Sequence, residues 1–339
     1  MPSGPRPRVW ERSRSRFGRS CGGYRTAMGG DPQRRPAGPA VRLGIGALFV
    51  SVSSVLIDLA GTTPGTASFY RCVLSLPLLA VVAALERHRH RPLDRRQLPA
   101  ALLAGVFFAG DMLLWTRAIE EVGAGLSTVV VNVQVIGVPL LAWAIDGESV
   151  PRRFVAWVPV MLLGVALTAG LVDGGAAGTN PVQGTIHAVL AAACYSVFLY
   201  LLRRTGTTGR PVQNYFVVIA AAGLVSLAGG WLWRGVDLTP GFRVIGWLIG
   251  VAVAGTVVGW LLVATNSPLL PSHVGAALLM LTPVGALVLS AVVLHERPTV
   301  LQLIGSVLIV AGAYFSGNRL RGQRTDRARG RRRPGRRSP

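Results

Sequence analysis

Apolar runs of roughly 15–22 residues recur ten times along this chain, and no other feature limits its fold so tightly. A helix rises ~1.5 Å per residue, so about 20 apolar residues span the ~30 Å of hydrocarbon in a bilayer. The first five runs are Leu43–Ala60, Ala67–Leu85, Ala100–Ile119, Gly125–Ile145 and Phe154–Val172. The second five are Gly184–Leu202, Tyr215–Trp233, Val244–Thr265, Val274–Leu294 and Thr299–Ser316. The expected fold is all-α and integral to the membrane, with ten transmembrane helices. Composition agrees: 51% of residues are hydrophobic and 14% charged, more apolar surface than one soluble core of this length needs, so the excess faces lipid.

A net charge of +21 would suggest nucleic acid in a soluble protein. Here the arginines sit at the two ends and in the gaps between apolar runs, so no nucleic-acid partner is expected. Residues 1–41 and 317–339 are rich in Arg, Gly, Pro and Ser and read as disordered tails. The head has no apolar stretch of a signal peptide, and Met28 offers an alternative start that would leave residues 1–27 as a leader. Cys21, Cys72 and Cys194 are scattered with no Cys-x-x-Cys spacing, so neither a disulfide nor a metal or other cofactor is expected.

Charge asymmetry orients the spans. With ten helices and a cytoplasmic start, Arg87, Arg89, Arg91, Arg95, Arg96, Arg152, Arg153, Arg203, Arg204 and Arg210 fall inside. Only Arg234, Arg243 and Arg297 fall in the outside loops. Both tails then also lie in the cytoplasm, as the positive-inside rule requires, and can touch anionic lipid headgroups. Nine spans, the competing count suggested by the short last run and the tight Leu269–Pro271 break, would strand one tail outside. The location expected is the cytoplasmic membrane.

Gly105–Trp115 (GVFFAGDMLLW) echoes Gly250–Trp260 (GVAVAGTVVGW) at an offset of 145 residues. Glu148 and Glu296, followed by Gly164 and Gly312, repeat at 148. Two echoes in the same order point to a duplication of five helices, residues 42–173 and 184–316. Because five is odd, the second copy enters the membrane from the opposite side, the inverted-topology repeat of many secondary transporters, with a central cavity between the halves.

Several of these stretches together resemble a known family. Thr63-Pro64 through Phe69-Tyr70-Arg71, the Leu281–Val284 stretch leading to His295-Glu296-Arg297-Pro298, and the glycines 305 and 312 are similar to EamA-type transporters of the drug/metabolite transporter (DMT) superfamily. The resemblance covers about residues 41–316. It implies ten helices in two inverted halves around a central cavity, and export or import of a small-molecule solute such as an amino acid, another metabolite, a nucleotide sugar or a drug. One departure stands out: the fourth run has Asn132-Val133-Gln134-Val135 where the ninth has Met280-Leu281-Thr282-Pro283. The first half lacks the kinking proline there, and Pro139 comes a turn later.

Candidate site residues follow from depth. Asp111 lies near the middle of the third run, where a carboxylate costs several kcal/mol unless paired, protonated or wetted. It is either a coupling group that cycles protons or a neutral Asp hydrogen-bonded to a neighbouring helix. Arg71 is its candidate ion partner, or else snorkels outward to headgroups. Trp115 and Trp260 hold equivalent repeat positions one turn beyond Asp111 and Thr256, either lining a pocket or anchoring at the interface. Asn132, Gln134, Tyr195 and Thr282 add hydrogen-bonding groups at membrane depth. Ser51, Ser54 and Asp58 share one face of the first run, the serines reading as packing residues and Asp58 as solvated near an end.

Other polar residues have simpler readings. Arg117 with Glu120 and Glu121 reads as an ion pair at the membrane edge, and His187 as interfacial. Glu148 and Glu296 read as acidic residues favoured by the dipole of the helix that follows each. Gly246, Gly250, Ala254, Gly255 and Gly259 mark the eighth run for close helix packing.

The chain has no Gly-x-Ser-x-Gly, His-Glu-x-x-His or P-loop, which argues against an intramembrane enzyme or an ATP-driven pump. A channel or a lipid-binding interaction protein remains the alternative to a secondary transporter. One central Asp and bulky tryptophans suit an occluded pocket better than a charged ring. Solute identity, direction and driving ion are not legible, although an exporter coupled to protons through Asp111 is the working expectation.

Overall fold

The computed structural model describes residues 38–89, 93–147, 152–168, 179–206, 210–270, 278–279 and 281–317, all within one compact unit. Every regular element among them is a helix. The first five rods are α1 (Gly38–Ala60), α2 (Pro64–Arg89), α3 (Leu98–Val122), α4 (Ala124–Asp146) and α5 (Arg152–Thr168). The next five are α6 (Pro181–Gly206), α7 (Pro211–Trp233), α8 (Phe242–Asn266), α9 (Leu281–Leu294) and α10 (Val300–Gly317). Seven of these are long and apolar enough to cross a membrane; the apolar stretches of α5, α9 and α10 are shorter. The chain is thus a multi-pass membrane protein built from helices.

α1 begins at Gly38, inside the stretch that composition assigns to the head, because Pro39 suits a first helical turn and the apolar run then continues unbroken. Glu148, Met280, the loop at 174–178, residues 1–37 and residues 318–339 lie outside the described residues.

Three joints depart from regular helix. Gly123 alone separates α3 from α4, at φ +90°, a conformation that L side chains rarely adopt. α4 itself breaks at Asn132-Val133, where the N–H groups of both residues reach back only three residues, to Val129 and Val130. The missing proline therefore does not spare this helix a break. Within α8, Val251–Trp260 winds as a π-helix, and so does Ser290–Leu294 at the end of α9. Periodicity gives no warning of either.

The principal neighbours form a regular set. α1 packs on α8 and α9, while α6 packs on α3 and α4; α2 touches α8, while α7 touches α3. α2–α7, α4–α9 and α5–α10 pair directly. Exchanging α1–α5 for α6–α10 maps this set onto itself.

Single residues repeat the exchange. A Cβ on Gly137 of α4 would strike Ser196 of α6, and one on Gly285 of α9 would strike Ser51 of α1. A Cβ on Gly164 would strike Ile309, and one on Gly312 would strike Met161. Small residues at these crossings let the backbones approach closely, which is how helices associate where lipid removes the hydrophobic drive. Gly250, Gly255 and Gly259 likewise face Leu56, Ser53 and Val50 of α1. Gly246, expected in the same seam, instead faces open space.

Connections gather at two faces. On the first, the α1–α2 turn meets the end of α7 through Thr63 Oγ1 donating to Gly235 O at 3.1 Å, and Asn180 N–H before α6 donates to Glu121 O at the end of α3. On the second, Glu86 at the end of α2 accepts from the Val212 and Gln213 N–H groups that open α7, at 3.2 and 2.8 Å. Tyr200 and Arg204 there hold Asp146 at the end of α4.

The Gly164 crossing is directly testable. Gly164→Val adds a branched side chain where a Cβ alone would lie 2.7 Å from Gly305 O, and overpacking of this kind costs about 1–3 kcal/mol. It should lower the thermal unfolding midpoint of purified protein, whereas Gly246→Ala, beside open space, should leave it in place.

Candidate functional site

α2, α3 and α8 meet around one buried guanidinium. Arg71 of α2 is 3% exposed, and its Nε donates to Thr256 Oγ1 of α8 at 3.0 Å. Its Cζ stands 5.9 Å from the Phe108 ring centroid and 5.8 Å from that of Trp115, both on α3. Cation–π contacts of this kind are worth roughly 0.5–2 kcal/mol each when desolvated. Arg71 therefore points inward and does not snorkel to the membrane surface. Tyr215 of α7, fully buried, donates its hydroxyl to Thr256 O at 3.2 Å and closes the fourth side.

The π-helical stretch presents Thr256 to Arg71 and, one turn on, Trp260 to a cluster of rings. Phe108 stacks on Phe198 at 4.4 Å, and Trp260 meets Phe108, Tyr195 and Phe198 edge-on at 5.4–5.8 Å. These four rings fill the space between α3, α6 and α8. Trp115 and Trp260 are 7% and 3% exposed, so both indoles face protein rather than lipid. Phe108, Phe198 and Tyr215 belong to the site as fully as the residues expected from sequence. Phe108 was legible as the residue one turn before Asp111; nothing in the sequence marked the other two.

Asp111 is mid-helix in α3 on the face that carries Phe108 and Trp115, and it is 6% exposed. It makes no ion pair with Arg71 within 4.0 Å among the described residues, because Arg71 is turned onto Thr256 and the aromatic faces. Two buried polar atoms are left unmet here among the described residues, Asp111 Oδ1 and Trp115 Nε1. Buried polar groups are nearly always hydrogen-bonded, so unmet ones make this region a candidate binding place.

The remaining candidates lie elsewhere. Asn132 is buried at the α4 break and donates to Thr128 O of its own helix at 2.8 Å, with Gln134 buried beside it. Thr282 packs on α1, its Oγ1 donating to Ala47 O at 3.3 Å while Ser51 Oγ donates to Thr282 O at 2.9 Å. Ser54 bonds within its own helix and Asp58 is exposed. The dipole reading of Glu296 is corrected: its carboxylate leaves the next helix and accepts from Ala124 and Gly125 N–H at 2.7 and 3.2 Å, capping α4. Gly123 makes room for it, since a Cβ there would lie 2.8 Å from Glu296 Oε1.

With this geometry in place, known proteins can be compared. The EamA-like transporter family model matches residues 42–170 and again residues 182–317. The chain belongs to the EamA-like transporter family. A Bacillus subtilis (strain 168) protein named as an uncharacterized transporter is 26% identical over 73% of this chain and 80% of its own length. A probable amino-acid metabolite efflux pump of Salmonella typhimurium is 26% identical over 70% of this chain and 83% of its own. A solved crystal structure, 17% identical, superposes with a TM-score of 0.59 over 86% of this chain and all of that one, a likeness of fold alone. This EamA-like protein is accordingly a membrane transporter, and the Arg71 cluster is the candidate place where it holds its solute.

The Arg71–Thr256 bond supplies a test of that cluster. Thr256→Val keeps the shape and removes the acceptor, which for a bond to a charged group should cost about 1.5–3 kcal/mol and lower the unfolding midpoint. Thr256→Ser should retain it.

Proposed function

We propose that this protein is a secondary transporter that exports a small metabolite or drug across the cytoplasmic membrane by alternating access. The observation that carries this reading is the set of unmet polar groups around Arg71 and Asp111 at mid-helix depth, walled by aromatic rings. A solute with an anionic group for Arg71, a donor for Asp111 and an apolar body against Trp115 and Trp260 would complete it. The printed role of the Salmonella relative makes amino-acid metabolites the first solutes to test.

Ten spans arranged as two inverted five-helix repeats are part of the proposal. The two matches of the family model and the neighbour set that maps onto itself both support a duplication with a pseudo-two-fold axis in the membrane plane. The first face is then outside and the second cytoplasmic, with both tails in the cytoplasm. Reporter fusions at residue 339 and in the 174–178 loop should report opposite sides; the same side for both would end the ten-span arrangement.

Asp111 is the proposed coupling group. Asp111→Asn keeps size and hydrogen bonding, so the variant should fold, yet flux in proteoliposomes should lose its dependence on a pH gradient. Gradient dependence equal to wild type would remove Asp111 from the proton path. Saturable flux separates this reading from a channel or a lipid-binding protein.

A further inference from the structure

A second cluster of charge lies away from the midplane, on the first face. Here the ends of α3 and α7 and the start of α6 enclose a pocket of about 340 Å³, large enough for a small metabolite. Glu121 is 3% exposed and is held on one oxygen by Arg117 Nη2 at 2.7 Å and on the other by His187 Nδ1 at 2.6 Å. Glu120 differs, being about a third exposed while its Oε2 accepts from Arg117 at 2.5 Å and Arg234 at 3.1 Å.

Two guanidiniums, one on α3 and one just past the end of α7, thus converge on one anionic oxygen of a partly exposed side chain. The Nε and Nη2 of Arg234 make no hydrogen bond among the described residues, and its side chain is 45% exposed. The facing wall is apolar: Trp233 is 44% exposed with its ring edge-to-face on His187, and Ile186 is 54% exposed. The membrane-edge reading of Arg117 accounts for its pairing with Glu120 and Glu121, but not for an open cavity with an aromatic wall.

We propose that this pocket binds a small organic carboxylate with an aromatic or branched apolar body. The carboxylate replaces Glu120 between Arg117 and Arg234, and the body lies against Trp233 and Ile186. Arg117 and Arg234 balance Glu120 and Glu121, so an incoming carboxylate competes with Glu120 for the two guanidiniums and turns it toward solvent. Planar guanidiniums hold carboxylates by paired, charge-assisted hydrogen bonds. The site is separate from Arg71 and Asp111, and its test reads binding rather than flux, so it stands or falls apart from the proposed transport mechanism.

The experiment is equilibrium binding of radiolabelled benzoate to the full chain in phosphatidylcholine nanodiscs. Saturable binding is expected, with no competition from benzyl alcohol. Arg234→Gln should weaken it about tenfold, the loss of one charged hydrogen bond. Trp233→Leu should weaken it severalfold, and Glu120→Gln should tighten it by removing the internal competitor. The proposal is overturned if benzoate binding is absent, if benzyl alcohol competes, or if Arg234→Gln leaves binding unchanged. It is also overturned if phosphatidylglycerol in the nanodisc eliminates benzoate binding, because a lipid phosphate would then be the occupant.

Discussion

Backbone N–H and C=O groups in hydrocarbon have to find partners within their own segment, and everything else in this protein works around that requirement. Once each apolar run has become a helix, lipid offers no hydrophobic reward for bringing two helices together. What remains is close packing and the few polar contacts between rods. The bundle uses both at the same places: Gly137 against Ser196, Gly285 against Ser51 and Gly255 against Ser53 bring backbone to side chain with no room for a Cβ. At the α5–α10 crossing the contact is reciprocal, Gly164 with Ile309 and Gly312 with Met161, and both large side chains are fully buried.

The same economy shapes the centre. A guanidinium this deep is costly unless it finds partners, and it takes one hydroxyl from α8 and two aromatic faces from α3. The π-helical winding of α8 spans Gly255, Thr256 and Gly259, which sit between Arg71 on one side and α1 on the other. Stretches of π-helix are costly and recur at functional sites, and here the winding supplies the hydroxyl that Arg71 uses. The unmet groups of Asp111 and Trp115 are then what makes this region the candidate site.

At the two faces, carboxylates do the joining. Glu296 caps α4 from the end of α9, and Glu86 caps α7 from the end of α2, each placing a negative charge at the positive end of a helix in the other half of the chain. Caps are worth about 1 kcal/mol.

Run length and hydropathy alone determined the helices, since a segment of about 20 apolar residues has only one way to satisfy its backbone in lipid. Asp111, Arg71, Thr256 and the two tryptophans were legible for the same reason, as polar or repeat-matched residues at depth. Partners were not legible, because they depend on how rods cross. Arg71 turned to Thr256 instead of Asp111, Glu296 reached α4 instead of the helix after it, and Phe198 and Tyr215 entered the site from α6 and α7. A helix fixes its own hydrogen bonds within four residues, so sequence can predict it; a side chain's partner can lie 185 residues away, as for Arg71 and Thr256, or 235, as for Thr282 and Ala47, and only the packing of the bundle decides it.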